Sequence, residues 1–144
     1  MRMFRISAET EYAYVALLRL AKDYGVKSST KLGEIIAPGG LSEKFMLQVL
    51  TDLKRAGLVS SRRGKMGGYA LAIAPNRITL ADLFVATLGD TDDTAGTFEI
   101  AGPNSCLAQI LRKEAREFQN ALSKMSIAQC LSLENDGGPL MYHI

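Results

Sequence analysis

The sequence predicts an α+β fold that is mainly α, with helices built around one two-stranded β hairpin. Three observations carry that reading. Apolar residues recur at helical spacing over residues 8–23, 42–56 and 106–124. The turn Pro38-Gly39-Gly40 separates a short apolar-periodic segment from the one that follows it. Two short strand-like runs, at 58–61 and 69–72, flank a basic, glycine-rich turn.

Composition bounds the answer first. A chain of 144 residues suits one domain plus a short oligomerisation element. With 47% hydrophobic and 22% charged residues it reads as globular, not disordered. No apolar run approaches the ~18 residues of a membrane span, so no membrane partner is expected. The N-terminal stretch has no apolar segment followed by small residues, which predicts no signal peptide. With only two cysteines, Cys106 and Cys130, a disulfide framework is not expected and a cytoplasmic location is. The charge is unevenly spread. Residues 1–75 hold 12 Lys/Arg against 6 Asp/Glu, a net of +6, and residues 76–144 hold 5 against 9, a net of −4. A basic N-terminal half is the footprint of a phosphate-binding surface.

The first helix, 8–23, places Tyr12, Val15, Ala16, Leu18, Leu20 and Ala21 at helical spacing, with Ser7 as its cap and Gly25 as its stop. Ser29 or Thr30 is expected to cap a second, short helix through Leu32, Ile35 and Ile36. Ser42 caps a third helix running to Ala56. Phe45, Met46, Val49, Leu50 and Leu53 lie on one face; Lys44, Gln48, Thr51 and Arg55 lie on the other. Gly57 stands where a helix end favours a left-handed residue. Two short helices joined by a glycine turn are the ingredients of a helix-turn-helix, and the hairpin that follows makes it a winged one. Thr79 caps a fourth helix, 80–88, expected to bury Leu80, Leu83, Phe84 and Leu88. Residues 89–105 read as a long loop, 106–124 as the longest helix, 127–131 as a short helix capped by Ser126, and 132–144 as a partly disordered tail. The expected organisation is thus a winged-helix, DNA-binding domain over 1–88, a loop over 89–105, a long helix and a short helix over 106–131, and the tail.

The chemistry sits in the hairpin and the third helix. Arg62, Arg63 and Lys65 ride on a thin glycine turn, and an Arg so placed can enter a narrow A·T minor groove. Lys44, Gln48 and Thr51 can face base edges and phosphates in the major groove. No carboxylate pair, nucleophile–base constellation or metal-ligand spacing stands out, so no enzyme is expected. Nor is 63–68 a nucleotide-binding loop, because it opens into a strand and not into a helix N-terminus.

The motif Arg63-Gly64-Lys65-Met66-Gly67-Gly68-Tyr69 closely resembles the wing of the Rrf2 family of winged-helix regulators, which includes iron–sulfur and nitric-oxide sensors of the IscR type. Arg5-Ile6-Ser7, Tyr12-Ala13, the run from Leu53 through Ala56-Gly57-Leu58-Val59, Tyr69-Ala70-Leu71 and Ile78-Thr79-Leu80 match the rest of the family pattern. The resemblance covers about residues 5–88, with a weaker match through 106–124. It implies a homodimeric transcription regulator, a repressor blocking promoter access, on double-stranded DNA with a pseudo-palindromic operator. It makes Arg63 a minor-groove reader and maps the helix-three contacts onto Ser42, Lys44, Phe45 and Gln48. The full contact set expected is Arg5, Thr30, Ser42, Lys44, Phe45, Gln48, Thr51, Arg62, Arg63, Lys65, Gly67 and Gly68. The chain departs from the pattern at Leu47, where the family often has a polar residue, and at Glu9 and Glu11, where some members are basic.

The resemblance also makes the loop 89–105 an effector loop and the long helix 106–124 a dimerisation helix, with the dimer interface through Leu107, Ile110, Leu111, Phe118 and Leu122. Cluster-binding members carry three cysteines before that helix; this chain has none there until Cys106, which matches the last of the three. Clusters are held by several thiolates, so no cofactor is expected. Cys106 is the one candidate sensor, and both cysteines are expected to be small buried apolar side chains. Two alternatives stay open at this stage: an iron–sulfur or thiol redox sensor of the same fold, and a winged helix that binds a protein partner.

Overall fold

The computed structural model describes residues 6–37, 39–88 and 106–137. Arg5, the loop 89–105 and His143 lie outside the described residues.

Helix α1, Ala8–Asp23, is the spine of the fold. Ser7 Oγ accepts the Thr10 N–H at 3.2 Å, and Gly25, at φ 76°, lets the chain leave the helix. Its inward face pairs small residues with large ones: Ala13, Ala16 and Leu17 are fully buried and Leu20 nearly so. Small residues let α2 (Leu32–Ile36), α3 (Glu43–Arg55), α4 (Leu80–Leu88) and α6 (Ile127–Gly137) all pack against this one helix. Near its start the buried Thr10 hydroxyl lies 2.9 Å from Thr87 Oγ1, which ties α1 to the end of α4.

The third helix keeps the pattern read from the sequence. Met46, Val49, Leu50 and Leu53 are fully buried, and Phe45 is half-buried against the same core. Gly57 ends it at φ 80°, with its N–H on the Lys54 carbonyl and the Leu58 N–H on the Leu53 carbonyl, both at 3.0 Å. That is the paired C-terminal arrangement in which a left-handed glycine turns the chain sharply. Strands β1, Val59–Arg62, and β2, Gly68–Leu71, then pair antiparallel from Val59 opposite Leu71 to Arg62 opposite Gly68. Both start and end within one residue of the expected runs.

Four expectations are corrected. The second helix is capped neither by Ser29 nor by Thr30. Its cap position is Lys31, whose N–H is accepted by Glu34 Oε2 at 3.3 Å. In α4 only Leu83 is buried in the common core; Leu80 and Phe84 are half-buried, and Leu88, at the end of the helix, is exposed. The last helix does not stop at residue 131. Ile127 and Cys130 enter the main core, Leu131 packs beside them, and α6 runs along α1 to Gly137, so tertiary contact holds a segment whose local sequence favours a turn. Cys130 is buried as expected, whereas Cys106, the first residue of α5 (Cys106–Lys124), is exposed.

A short β-bridge closes the molecule. Leu80 N–H donates to the Met125 carbonyl at 2.9 Å and Ile127 N–H to the Ile78 carbonyl at 2.7 Å, so the start of α4 and the start of α6 are held side by side. Each helix is also capped reciprocally. Asp82 N–H donates to Thr79 Oγ1 and Thr79 N–H to Asp82 Oδ2; Ser126 and Gln129 repeat the exchange.

Two acids also lie near one another where α1 meets α3. The side-chain hydrogen bond with Asp52, some burial and the Asp52 charge raise the Glu9 pKa above its ordinary value of 4.5. A raised folded-state value stabilises fully below that ordinary value and is lost as pH rises through the folded one. Glu9→Gln supplies the donor without the proton. The variant should therefore melt higher than wild type near pH 8, and the gap should close near pH 4. Equal gaps at both pH values in thermal melts would rule out the raised Glu9 pKa.

Candidate nucleic-acid interface

Each end of α3 is fixed before its outer face can read anything. Ser42 Oγ accepts the Phe45 N–H at 3.2 Å, and the Ser42 N–H donates to Tyr12 Oη at 3.0 Å. The Tyr12 and Phe45 rings meet edge to face, with centroids 4.7 Å apart and planes at 81°. Ser42 and Phe45 thus clamp the helix start onto α1. At the other end Lys54 Nζ donates to Ser61 Oγ at 2.8 Å, joining α3 to the wing. Between the two ends Lys44, Leu47, Gln48 and Thr51 are exposed.

The wing is held from below. Thr30 N–H donates to the Tyr69 carbonyl at 2.7 Å and Tyr69 N–H to the Thr30 carbonyl at 2.8 Å, so residue 30 pairs with β2 as a one-residue strand. Ser29 Oγ donates to the Met66 carbonyl at 2.6 Å. Inside the turn Gly64 takes φ 96°, and its carbonyl accepts the Gly67 N–H at 2.8 Å. A Cβ on Gly67 would lie 2.6 Å from that carbonyl oxygen, and one on Gly68 would lie 2.5 Å from the Thr30 oxygen. These two glycines are therefore required by the protein's own backbone, whatever else they touch.

Thr30 cannot be a DNA contact as expected. It is 1% exposed, and its hydroxyl donates to Asp23 Oδ2 at 2.6 Å. The same carboxylate sits 3.5 Å from Arg19 Nε and 3.7 Å from Lys27 Nζ. Lys27 also reaches Glu34 at 3.2 Å, and that bond, with the Lys31 N–H, lowers the Glu34 pKa.

Arg62, Arg63 and Lys65 come together as expected, and with them Lys31, which the sequence did not single out. The four cations line an open groove of about 600 Å³ between the start of α2 and the wing, with no acidic residue in its wall. Such a groove can take a chain of phosphates. Lys31 and Lys54 are missed in the sequence because neither lies in the basic run of the wing; folding brings them to it. Among the described residues there is no group of three or more His, Cys, Asp or Glu side chains that could hold a metal ion.

A family model described as an iron-dependent transcriptional regulator, Rrf2, matches residues 6–132. The chain belongs to the Rrf2 family. It is 30% identical over 146 residues to an HTH-type transcriptional regulator of Mycobacterium tuberculosis, covering 97% of this chain and 86% of that one. Among solved structures, CymR, the global cysteine regulator of B. subtilis, superposes with a TM-score of 0.78 at 26% identity over 90% of this chain and 97% of its own. The IscR of T. potens gives a TM-score of 0.73 at 27% identity over 90% and 87%. The winged helix-turn-helix read from the sequence is thus the fold, and the chain is a DNA-binding transcription regulator. No helix among the described residues is long and apolar enough to cross a membrane.

Two variants separate support from contact. Thr30→Val should lower stability to urea by about 1.5–3 kcal/mol, the scale of a hydrogen bond to a charged group, yet leave the DNA affinity of the folded protein unchanged. Gly68→Ala should destabilise by about 1–3 kcal/mol through overpacking and speed hydrogen exchange at the Thr30 and Tyr69 amides. A Thr30→Val protein that is stable but weak on DNA would restore Thr30 as a contact.

Proposed function

We propose that the protein is a homodimeric repressor that seats two copies of α3 in major grooves of a pseudo-palindromic operator, with Arg63 in the adjoining minor groove. The groove of four cations between the wing and the start of α2, together with the exposed polar face of α3, carries this reading. Phosphates along that groove set the register, Lys44 and Gln48 meet base edges, and Arg63 reads minor-groove width. Ser42 and Phe45 act by holding α3 on α1.

The dimer is proposed to form on α5. Its buried residues are the small Ala108 and Ala115, while Leu107, Ile110 and Phe118 are 65%, 51% and 43% exposed and Leu111 and Leu122 half-buried. A two-fold axis there would set the two reading helices about one DNA turn, ~34 Å, apart or a multiple of it.

The family description names iron, and the residues present do not suit a cluster. The chain has two cysteines. Cys130 is buried in the core, and burial raises its thiol pKa, a shift that its hydrogen bond with Tyr14 opposes only in part. That leaves the exposed Cys106 as the single accessible thiol. The regulator is proposed to work without an iron–sulfur cluster.

Arg63→Ala should lose about 1–3 kcal/mol on a specific site and little on random DNA. Lys31→Ala and Lys65→Ala should weaken both alike and flatten the salt dependence. Equal losses for Arg63→Ala on both DNAs in titrations would remove its reading role. Leu107→Lys with Ile110→Glu should sediment as a monomer and lose tight operator binding; a dimer that persists would place the interface elsewhere. Anaerobically purified protein should be colourless, and stoichiometric iron and sulfide would overturn the cluster-free reading.

A further inference from the structure

One exposed side chain on the reading face of α3 has no polar chemistry to offer. Leu47 is 40% exposed. The helix fills the core without it, since Met46, Val49, Leu50 and Leu53 are fully buried. Exposed leucines are ordinary on protein surfaces, but this one sits one helical turn from both Lys44 and Thr51 and next to Gln48. Thr51 does not make the spot more polar. Its hydroxyl donates to the Leu47 carbonyl at 2.9 Å, so that proton is not offered to a base acceptor. The centre of the face is therefore aliphatic, and Lys44 and Gln48 flank it.

The major groove presents donors, acceptors and one apolar group, the C5-methyl of thymine. We propose that Leu47 packs against a thymine methyl in each half-site, making the presence of that methyl a determinant of the operator. Cytosine methylated at C5 carries the same group at the same ring position, so the contact also responds to cytosine methylation. This inference rests on the proposed seating of α3 in the major groove.

The test uses a duplex selected by the wild-type homodimer from a random-sequence pool. Each dT of the selected site is replaced in turn by deoxyuridine, which removes the methyl and nothing else. At one position per half-site the wild type should bind about four-fold more weakly, the worth of one buried methyl-sized group at ~0.8 kcal/mol. Leu47→Ala should bind the dT and deoxyuridine duplexes equally at that position while keeping wild-type melting temperature and affinity for random DNA. Placing 5-methylcytosine there should bind the wild type more tightly than cytosine does, and should not do so for Leu47→Ala. If no deoxyuridine weakens the wild type, or if Leu47→Ala stays as sensitive as wild type, the assignment falls. Gln48→Ala separates the two levels of the reading. A selected site that depends on Gln48 but on no thymine methyl defeats only the Leu47 contact; indifference to both substitutions defeats the seating of α3 as well.

Discussion

Two backbone hydrogen bonds and one hydroxyl, all on Thr30, join the end of α1, the start of α2 and the wing. The backbone pair to Tyr69 makes residue 30 the third rung beside a two-stranded wing. The hydroxyl anchors that rung to Asp23 at the end of α1. A buried carboxylate is tolerable only with partners, and Asp23 has three: Thr30, Arg19 and Lys27. Lys27 passes the link on to Glu34 in α2. The end of α1, the start of α2 and the wing are consequently one unit, and the absence of a side chain at Gly68 is what allows the approach.

The C-terminal helices divide their labour by residue size. Helix α6 sends Ile127 and Cys130 into the common core and is stitched to α4 through residues 78–80 and 125–127. Helix α5 buries alanines and leaves its larger apolar residues outside. In an amphipathic helix serving only its own domain the order would be the reverse, because large side chains gain most from burial. The core of the described residues is complete without α5, whose two buried alanines lie apart from the main cluster.

Local rules made much of this legible. Helical spacing located α1, α3, α4 and α5, and the caps Ser7, Ser42, Thr79 and Ser126 all hold the bonds that their residue types favour. The glycine-rich wing was readable because a tight basic turn between two short strands has few other solutions. What failed was non-local. Thr30 obeys a capping rule in the sequence, but Tyr69, 39 positions away, claims its backbone and Asp23 its hydroxyl. The segment after Leu131 reads as a partly disordered tail, yet α6 continues through it to Gly137 alongside α1. Two lysines near the wing gain meaning only in the fold: Lys31 once the start of α2 meets the hairpin, and Lys54 once β1 turns back beside α3.

The tethering of the wing has a thermodynamic side. A free turn must give up roughly 1–2 kcal/mol of backbone entropy per residue when a ligand fixes it. Here the turn between Arg62 and Gly68 is already closed by the Gly64–Gly67 hydrogen bond and moored through the Met66 carbonyl to Ser29. Much of that ordering is therefore complete when the polypeptide folds. In the proposed seating on a duplex, mainly the long Arg and Lys side chains are left to immobilise, and a larger share of the electrostatic attraction survives as net affinity.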